Sequence, residues 1–224
     1  IPDYPWPAQI EDVKCAVRYL RANAQELNIN PDKIGAIGHS AGGHLALMLG
    51  LTNSDNGFDG TGGYQDQPSN VQAVVGLSGL TNFATWKPWP EVDEPFQKEY
   101  GKTYDGLLTD LLGTADRSAK AMAEASPVSY VDAGDPPVLI VHGDADPLVP
   151  YDQATELAEV LKKEGAPHKL AVIEGANHGY NDEQLPLIIM ETTAFFNEHL
   201  NDIAPEPAPE ATQVPSQEEP AEAK

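Results

Sequence analysis

The chain is predicted to fold as an α/β protein: a parallel sheet covered by helices on both faces. Two observations carry that expectation and a third permits it. Four short apolar runs, at 33–38, 71–78, 136–143 and 168–175, have strand length and are bounded by turn residues. Around them lie segments with apolar residues at helical spacing. Strands separated by helices must cross over to pair, which makes neighbours parallel and places helices on the faces. A length of 224 residues with 41% hydrophobic content is enough to bury a core.

Each element follows from its own pattern. AQIEDVKCAVRYLRANAQELN (8–28) carries Ile10, Val13, Ala16, Val17, Leu20 and Leu27 at helical spacing, and NPDK then turns the chain into the first strand. AGGHLALMLGL reads as a helix, and 53–70 as a Gly/Asp/Asn-rich loop. VQAVVGLS is a second buried strand, followed over 79–130 by an excursion with prolines, aromatics and short helical pieces. PPVLIVHG is the third strand, YDQATELAEVLKKEG an amphipathic helix, HKLAVIEG the fourth strand and LPLIIMETTAFFNEHL the last helix. Residues 1–201 form one domain on this reading. Residues 202–224 hold five prolines and six acids with little to bury, and are expected to be a disordered tail or linker stub.

Thirteen cations against 35 acids give a formal charge of −22 and a pI near 4.3. A surface this acidic repels nucleic acid and anionic lipid, and it suits a small neutral or cationic substrate. Cys15 is the single cysteine, so no intrachain disulfide forms. No apolar run approaches the ~20 residues that span a bilayer. No signal peptide is visible, but the chain starts at Ile1, so an upstream segment is expected to have been removed or left out. Localisation stays open, with a secreted or periplasmic setting favoured.

IGAIGHSAGGHLALMLG places Ser40 between Gly38 and Gly42, after an apolar strand and before a helix. In G-x-S-x-G a strand turns sharply into a helix with the serine at the apex, in a strained backbone conformation. The two glycines are expected to keep side chains out of the crowded turn. The hydroxyl then stands above the carboxyl ends of the strands, where open α/β sheets hold ligands. The amide of Ala41, at a helix N-terminus, points toward any oxyanion formed there. The plainer alternative is a glycine-rich turn with a bystander serine.

A serine hydroxyl is a weak nucleophile until a base takes its proton, and the base needs an orienting acid. VLIVHGDADPLVP ends the third strand with Asp144 and Asp146, and VIEGANHGY ends the fourth with His178. Ser40, an aspartate and His178 thus each follow a strand's carboxyl end, and parallel strands bring those ends to one rim.

GHSAGGHLA, HGDADPLVP and EGANHGY, in that order, make the chain similar to the α/β-hydrolase carboxylesterases, especially the acetyl-esterase and feruloyl-esterase-like group. The resemblance covers residues 5–200 and implies an α/β-hydrolase fold with Ser40 as nucleophile, His178 as base and Asp146, the second aspartate of HGDxD, as acid. Asp144 is the rival for that last role. The resemblance also implies that 79–130 is a cap over the pocket. Trp86 is then a candidate pocket wall and Tyr180 a second substrate contact. The alternatives are that these aromatics form the cap's own core and that Tyr180 packs the histidine loop.

Other residues carry plainer expectations. His39 is read as a packing or pocket residue beside the serine, and His44 as a packing residue one helical turn on. His142 is read as a hydrogen-bonding residue within its loop, His168 and His199 as surface, and Ser78 as structural. SDNGFDGTGGYQD has a faint calcium-loop pattern in Asp55, Asp59 and Asp66, but Gly57 is a poor ligand and a solvated loop is the default.

The resembling family places further strands and an HGGG-type loop upstream, and that loop supplies a second oxyanion donor. No such segment occurs in these residues, so the expectation is a fragment containing the last four strands, with the strand at 33–38 as an apolar edge. Loss of one oxyanion donor typically costs a factor of ~10²–10³. The function implied is a serine carboxylic-ester hydrolase acting on short acyl or aryl esters, including acyl groups on polysaccharide, with no metal or organic cofactor. The alternatives are an amidase, arylformamidase or peptidase of the same fold, or a non-catalytic binding module. Oligomeric state is not legible.

Overall fold

The structure is a computed structural model that describes residues 3–201; the acidic proline-rich tail at 202–224 lies outside the described residues. The chain runs α1 (Ala8–Ala22), α2 (Ala24–Leu27), β1 (Gly35–His39), α3 (Ala41–Leu51) and β2 (Ala73–Leu77). It continues through α4 (Asp93–Tyr100), α5 (Tyr104–Leu112) and α6 (Lys120–Glu124) to β3 (Val138–Gly143), α7 (Asp152–Glu164), β4 (His168–Ile173) and α8 (Leu185–Leu200). The four strands form one parallel sheet in the order β1-β2-β3-β4. The carboxyl ends of all four strands therefore share one rim, and Ser40, Asp146 and His178 follow three of them.

The two inner strands explain their apolar runs. Every residue of β3 is buried, and so is every residue of β2 except Leu77. Strands covered on both faces need no polar alternation. On one face, α1, α3 and α7 pack over Ile34, Val74, Val138 and Ile140, with Ile10, Leu47, Met48, Leu157 and Leu161 among the buried contacts. On the other face, α8 brings Ile188 and Phe195 onto Val75, Leu139 and Val141. Among the described residues β1 and β4 are the sheet's edges, and Ile37 and Val172 on them are exposed.

The segment expected as one helix over 8–28 is broken. Asn23 donates its side-chain amide to the Tyr19 carbonyl at 2.8 Å, competing with the helical ladder, and a four-residue turn of helix follows. Ala16 and Leu27 are exposed, whereas Lys14, Arg18 and Arg21 are buried. These three cations share one helix face and clasp the 53–70 loop. Lys14 Nζ donates to the Thr52 carbonyl at 3.0 Å, Arg18 Nε to Gly63 at 3.1 Å, and Arg21 Nη2 to Asn70 at 3.0 Å. Asp59, which the calcium pattern offered as a ligand, instead lies 3.9 Å from Lys14 Nζ and 3.7 Å from Arg18 Nη1. Among the described residues no group of three or more His, Cys, Asp or Glu side chains is arranged to hold a metal ion.

Between β2 and β3, helices α4 to α6 enclose a separate apolar cluster of Leu80, Phe83, Trp86, Tyr104, Leu108 and Met122, with Val149 from the β3–α7 loop.

Candidate active site

β1 ends at His39, Ser40 follows, and α3 begins at Ala41. Ser40 has φ 57° and ψ −120°, a combination that L-residues rarely adopt and that costs about 1–3 kcal/mol. It is held from both sides. Its N–H donates to the Leu77 carbonyl at 2.9 Å, and its carbonyl accepts from the His44 N–H at 2.9 Å. The turn closes because Gly38 has no side chain: a Cβ there would stand 2.1 Å from the Gly42 carbonyl oxygen. Gly42 itself plays no such part, since a Cβ there meets nothing within 4 Å. The second glycine that the turn requires is Gly43, whose Cβ would lie 2.8 Å from the Leu77 oxygen and 3.0 Å from the Gly79 Cα. That corrects the expectation drawn from the motif. Gly43 lets the start of α3 settle against the end of β2.

The three separated side chains meet. Ser40 Oγ lies 2.8 Å from His178 Nε2, and His178 Nδ1 lies 2.8 Å from Asp146 Oδ2. A carboxylate only accepts, so Nδ1 carries the ring proton, Nε2 presents its lone pair, and the serine hydroxyl donates to it. Asp146 is fully buried, and its other oxygen, Oδ1, accepts from the amides of Leu148 and Val149 at 2.9 Å each. Burial pushes this carboxyl up. The His142 and His178 rings and the Val149 amide outweigh that and hold it well below the usual carboxylate range. His142, also fully buried, donates Nε2–H to the Val149 carbonyl at 2.7 Å and lies 3.5 Å from Asp146 Oδ2.

Asp144 has different work. Its Oδ1 accepts from the Gly175 N–H at 2.6 Å, tying the acid loop to the start of the histidine loop. The Ala145 N–H donates to the Ala176 carbonyl at 3.1 Å in the same place. The two loops approach this closely because of Gly143, where a Cβ would stand 2.2 Å from the Ala176 oxygen.

Ala41 is the first residue of α3, so its amide belongs to the first turn, whose N–H groups have no intrahelical acceptor. Trp86 is 6% exposed, enclosed by Phe83 and Tyr104, and donates Nε1–H to the Leu148 carbonyl at 2.8 Å. It is a packing residue that braces the acid loop rather than a wall of a pocket. The Tyr180 hydroxyl is shared with Ser78 Oγ at 2.8 Å and lies 3.3 Å from the Val141 carbonyl, so it packs the histidine loop instead of presenting a free hydroxyl. Ser78 is fully buried at φ 45° and follows the last residue of β2. His44 is buried with Nε2 2.7 Å from the Ala125 carbonyl, and burial lowers its ring to about 4, which keeps it neutral.

A cavity of about 940 Å³ lies elsewhere. Its lining includes Asp59, Gln72, Asp135 and Pro136, residues of the 53–70 loop or just before β2 and β3, at the opposite end of the strands.

A parallel sheet with a serine-bearing strand–turn–helix, an acid loop and a histidine loop converging on one rim is the α/β-hydrolase arrangement. More narrowly, the chain belongs to the BD-FAE family, whose profile matches residues 1–161. It is 28% identical over 199 residues to Esterase LipC of Mycobacterium tuberculosis, covering 84% of this chain and 47% of that protein. It is 32% identical over 164 residues to the probable carboxylic ester hydrolase LipM of the same organism, covering 72% of this chain and 35% of that one. The chain thus spans less than half the length of these curated relatives. Among solved structures, a truncated form of a carbohydrate esterase from gut microbiota superposes with a TM-score of 0.75 at 31% identity. That alignment covers 89% of this chain and 70% of the other. The propionate-bound esterase Est2 of Thermogutta terrifontis gives 0.67 at 27% identity, over 92% and 70%.

Proposed function

We propose that the chain carries the reacting groups of a serine carboxylesterase that hydrolyses short acyl or aryl esters, including acyl groups on polysaccharide. The observation that carries this reading is the continuous 2.8 Å and 2.8 Å relay from Ser40 through His178 to buried Asp146. His178 Nε2 takes the Ser40 proton as Oγ attacks the ester carbonyl. The same imidazolium returns that proton to the departing alcohol. Water then enters and gives a proton to Nε2 as its oxygen bonds the acyl carbon, and the imidazolium passes that proton to Ser40 Oγ as the acyl–Oγ bond breaks and the acid leaves. Asp146 keeps the proton on Nδ1 and stabilises the charged ring between steps. The Ala41 amide donates to the oxyanion. The polysaccharide part of the reading is supported by likeness to a carbohydrate esterase, and the ester part by likeness to named esterases.

The test is covalent labelling with a fluorophosphonate together with hydrolysis of p-nitrophenyl acetate and of a matched anilide. Labelling at Ser40, ester turnover that disappears in Ser40→Ala, and no anilide cleavage are expected. Anilide cleavage at a comparable rate would turn the assignment to an amidase. Absence of labelling at Ser40 would leave the fold as a binding module.

A further inference from the structure

We infer that His39, the residue before the serine, is a positioning residue for His178: it holds the base's backbone and so ties the base loop to the serine turn. The inference rests on the esterase reading for its kinetic consequence, but its geometry is independent of that reading. His39 Nε2 lies 2.8 Å from the His178 carbonyl oxygen. A carbonyl only accepts, so His39 is the donor and carries its proton on Nε2. The two rings also face each other at 5.1 Å between centroids, tilted by 40°, and the Tyr180 ring closes the far side at 5.7 Å from His39.

The histidine loop has three other anchors, and none of them lies on β1 or α3. Gly175 is held by Asp144, Ala176 by Ala145, and Tyr180 by Ser78. These fix the ends of the loop to the acid side and to β2. Apart from the reacting Ser40–His178 bond itself, only His39 among the described residues is hydrogen-bonded from the strand that carries Ser40 to this loop, and it is so at residue 178. The distance between Oγ and Nε2 depends on where two separate strand ends stand, and a hydrogen bond across those ends removes that freedom. His39 sits at the last residue of β1, so the strand that presents the serine also presents the brace.

The role predicts a specific substitution pattern. Gln places an amide N–H donor at nearly the reach of Nε2, whereas Leu fills similar space with no donor. His39→Leu is expected to lower kcat for p-nitrophenyl acetate by about tenfold, the factor equivalent to one lost hydrogen bond. KM is expected to stay within about twofold, because His39 touches the base and not the substrate. His39→Gln is expected to recover most of the loss. The His178 Nδ1 proton, bonded to Asp146, gives a second readout by NMR at low field that does not need turnover. It is expected to stay sharp in wild type and in His39→Gln, and to broaden with faster solvent exchange in His39→Leu. A His39→Leu chain whose Nδ1 signal is as sharp as wild type overturns the inference. So does a Gln variant that behaves like Leu in both readouts. Lack of any Ser40-dependent turnover in wild type would overturn the esterase reading alone, and the NMR comparison would still decide this one.

Discussion

Asp146 faces His178 across 2.8 Å while Asp144, two residues earlier, turns away to accept the Gly175 amide at 2.6 Å. Two carboxylates on one loop thus divide the labour: one orients the imidazole, the other fixes the loop that delivers it. Asp146→Asn would leave an amide that can donate to Nδ1 and favour the unproductive tautomer. A loss of about 10³–10⁴ in kcat is expected, with KM little changed. Asp144→Asn keeps an acceptor for Gly175 and should cost no more than about tenfold. Steady-state kinetics on the two variants separates them. Equal losses would show that the acid has been assigned to the wrong residue.

The glycines of the serine turn should not behave alike. Gly38→Ala drives a methyl group onto the Gly42 carbonyl, a backbone atom that cannot swing aside. A destabilisation of at least about 3 kcal/mol is expected, with loss of soluble protein. Gly42→Ala meets open space in the first turn of α3 and should fold with stability within about 1 kcal/mol of wild type, on the favourable side. Urea denaturation midpoints read both.

His44 makes folding sensitive to mild acid. Its ring is lowered to about 4 by burial in the fold, against 6.5 when unfolded. Between those values the unfolded chain binds a proton that the folded chain refuses, so stability falls as pH drops. The contribution is fully present above pH 6.5 and gone near pH 4, a change of about 3 kcal/mol. The lowered carboxyl of Asp146 adds a loss that begins only below about its unfolded value of 3.8. Asp135, pushed up to about 6 by burial, acts in the opposite sense over the same range, so the His44 contribution is read as the difference between wild type and His44→Gln in thermal melts from pH 7 to 4. His44→Gln, which keeps an N–H for the Ala125 carbonyl, should gain stability relative to wild type as pH falls from 6.5 to 4; a difference that does not change with pH would refute the assignment.

Asp59 is the carboxylate beside Lys14 and Arg18, two of the three buried cations of α1. Lys14 is lowered, first by burial and then by neighbouring Arg18, with Asp59 acting to raise it. Asp59→Asn removes the compensating charge and should destabilise the fold by about 1–3 kcal/mol. The 53–70 loop should become the first site of limited proteolysis. Arg18→Met, which removes one buried charge along with Nη1 and Nη2 atoms that make no hydrogen bond, should partly restore Asp59→Asn. Double-mutant denaturation measures that recovery.

The strands and the last helix were readable from the sequence to within about two residues, because burial of a face repeats with the period of the element that carries it. β1 starts later than the apolar run because the Ile34 amide is taken by the Gln72 side chain, and β2 stops at Ser78 because its φ turns positive. The helix at 8–28 was the poorest reading. Its buried face is cationic, and a lysine or arginine looks solvent-exposed until the loop it clasps is known. Trp86 likewise read as a pocket residue because an aromatic in a cap-like segment serves either role, and only its neighbours decide.

By itself the sequence determined the order of strands and helices, and the strand–Ser40–helix turn with two motifs downstream at other strand ends. Those are local properties: periodicity, glycine at a crowded backbone, polar residues where a strand must stop. The motif resemblance favoured Asp146 over Asp144, and the tertiary structure brings Asp146 to His178; the structure alone decided that Gly43 rather than Gly42 admits the turn and that His39 meets the backbone of residue 178. Each of these depends on which loop lies beside which across the rim. Spacing along the chain does not encode that distance, because packing of the intervening strands and helices sets it.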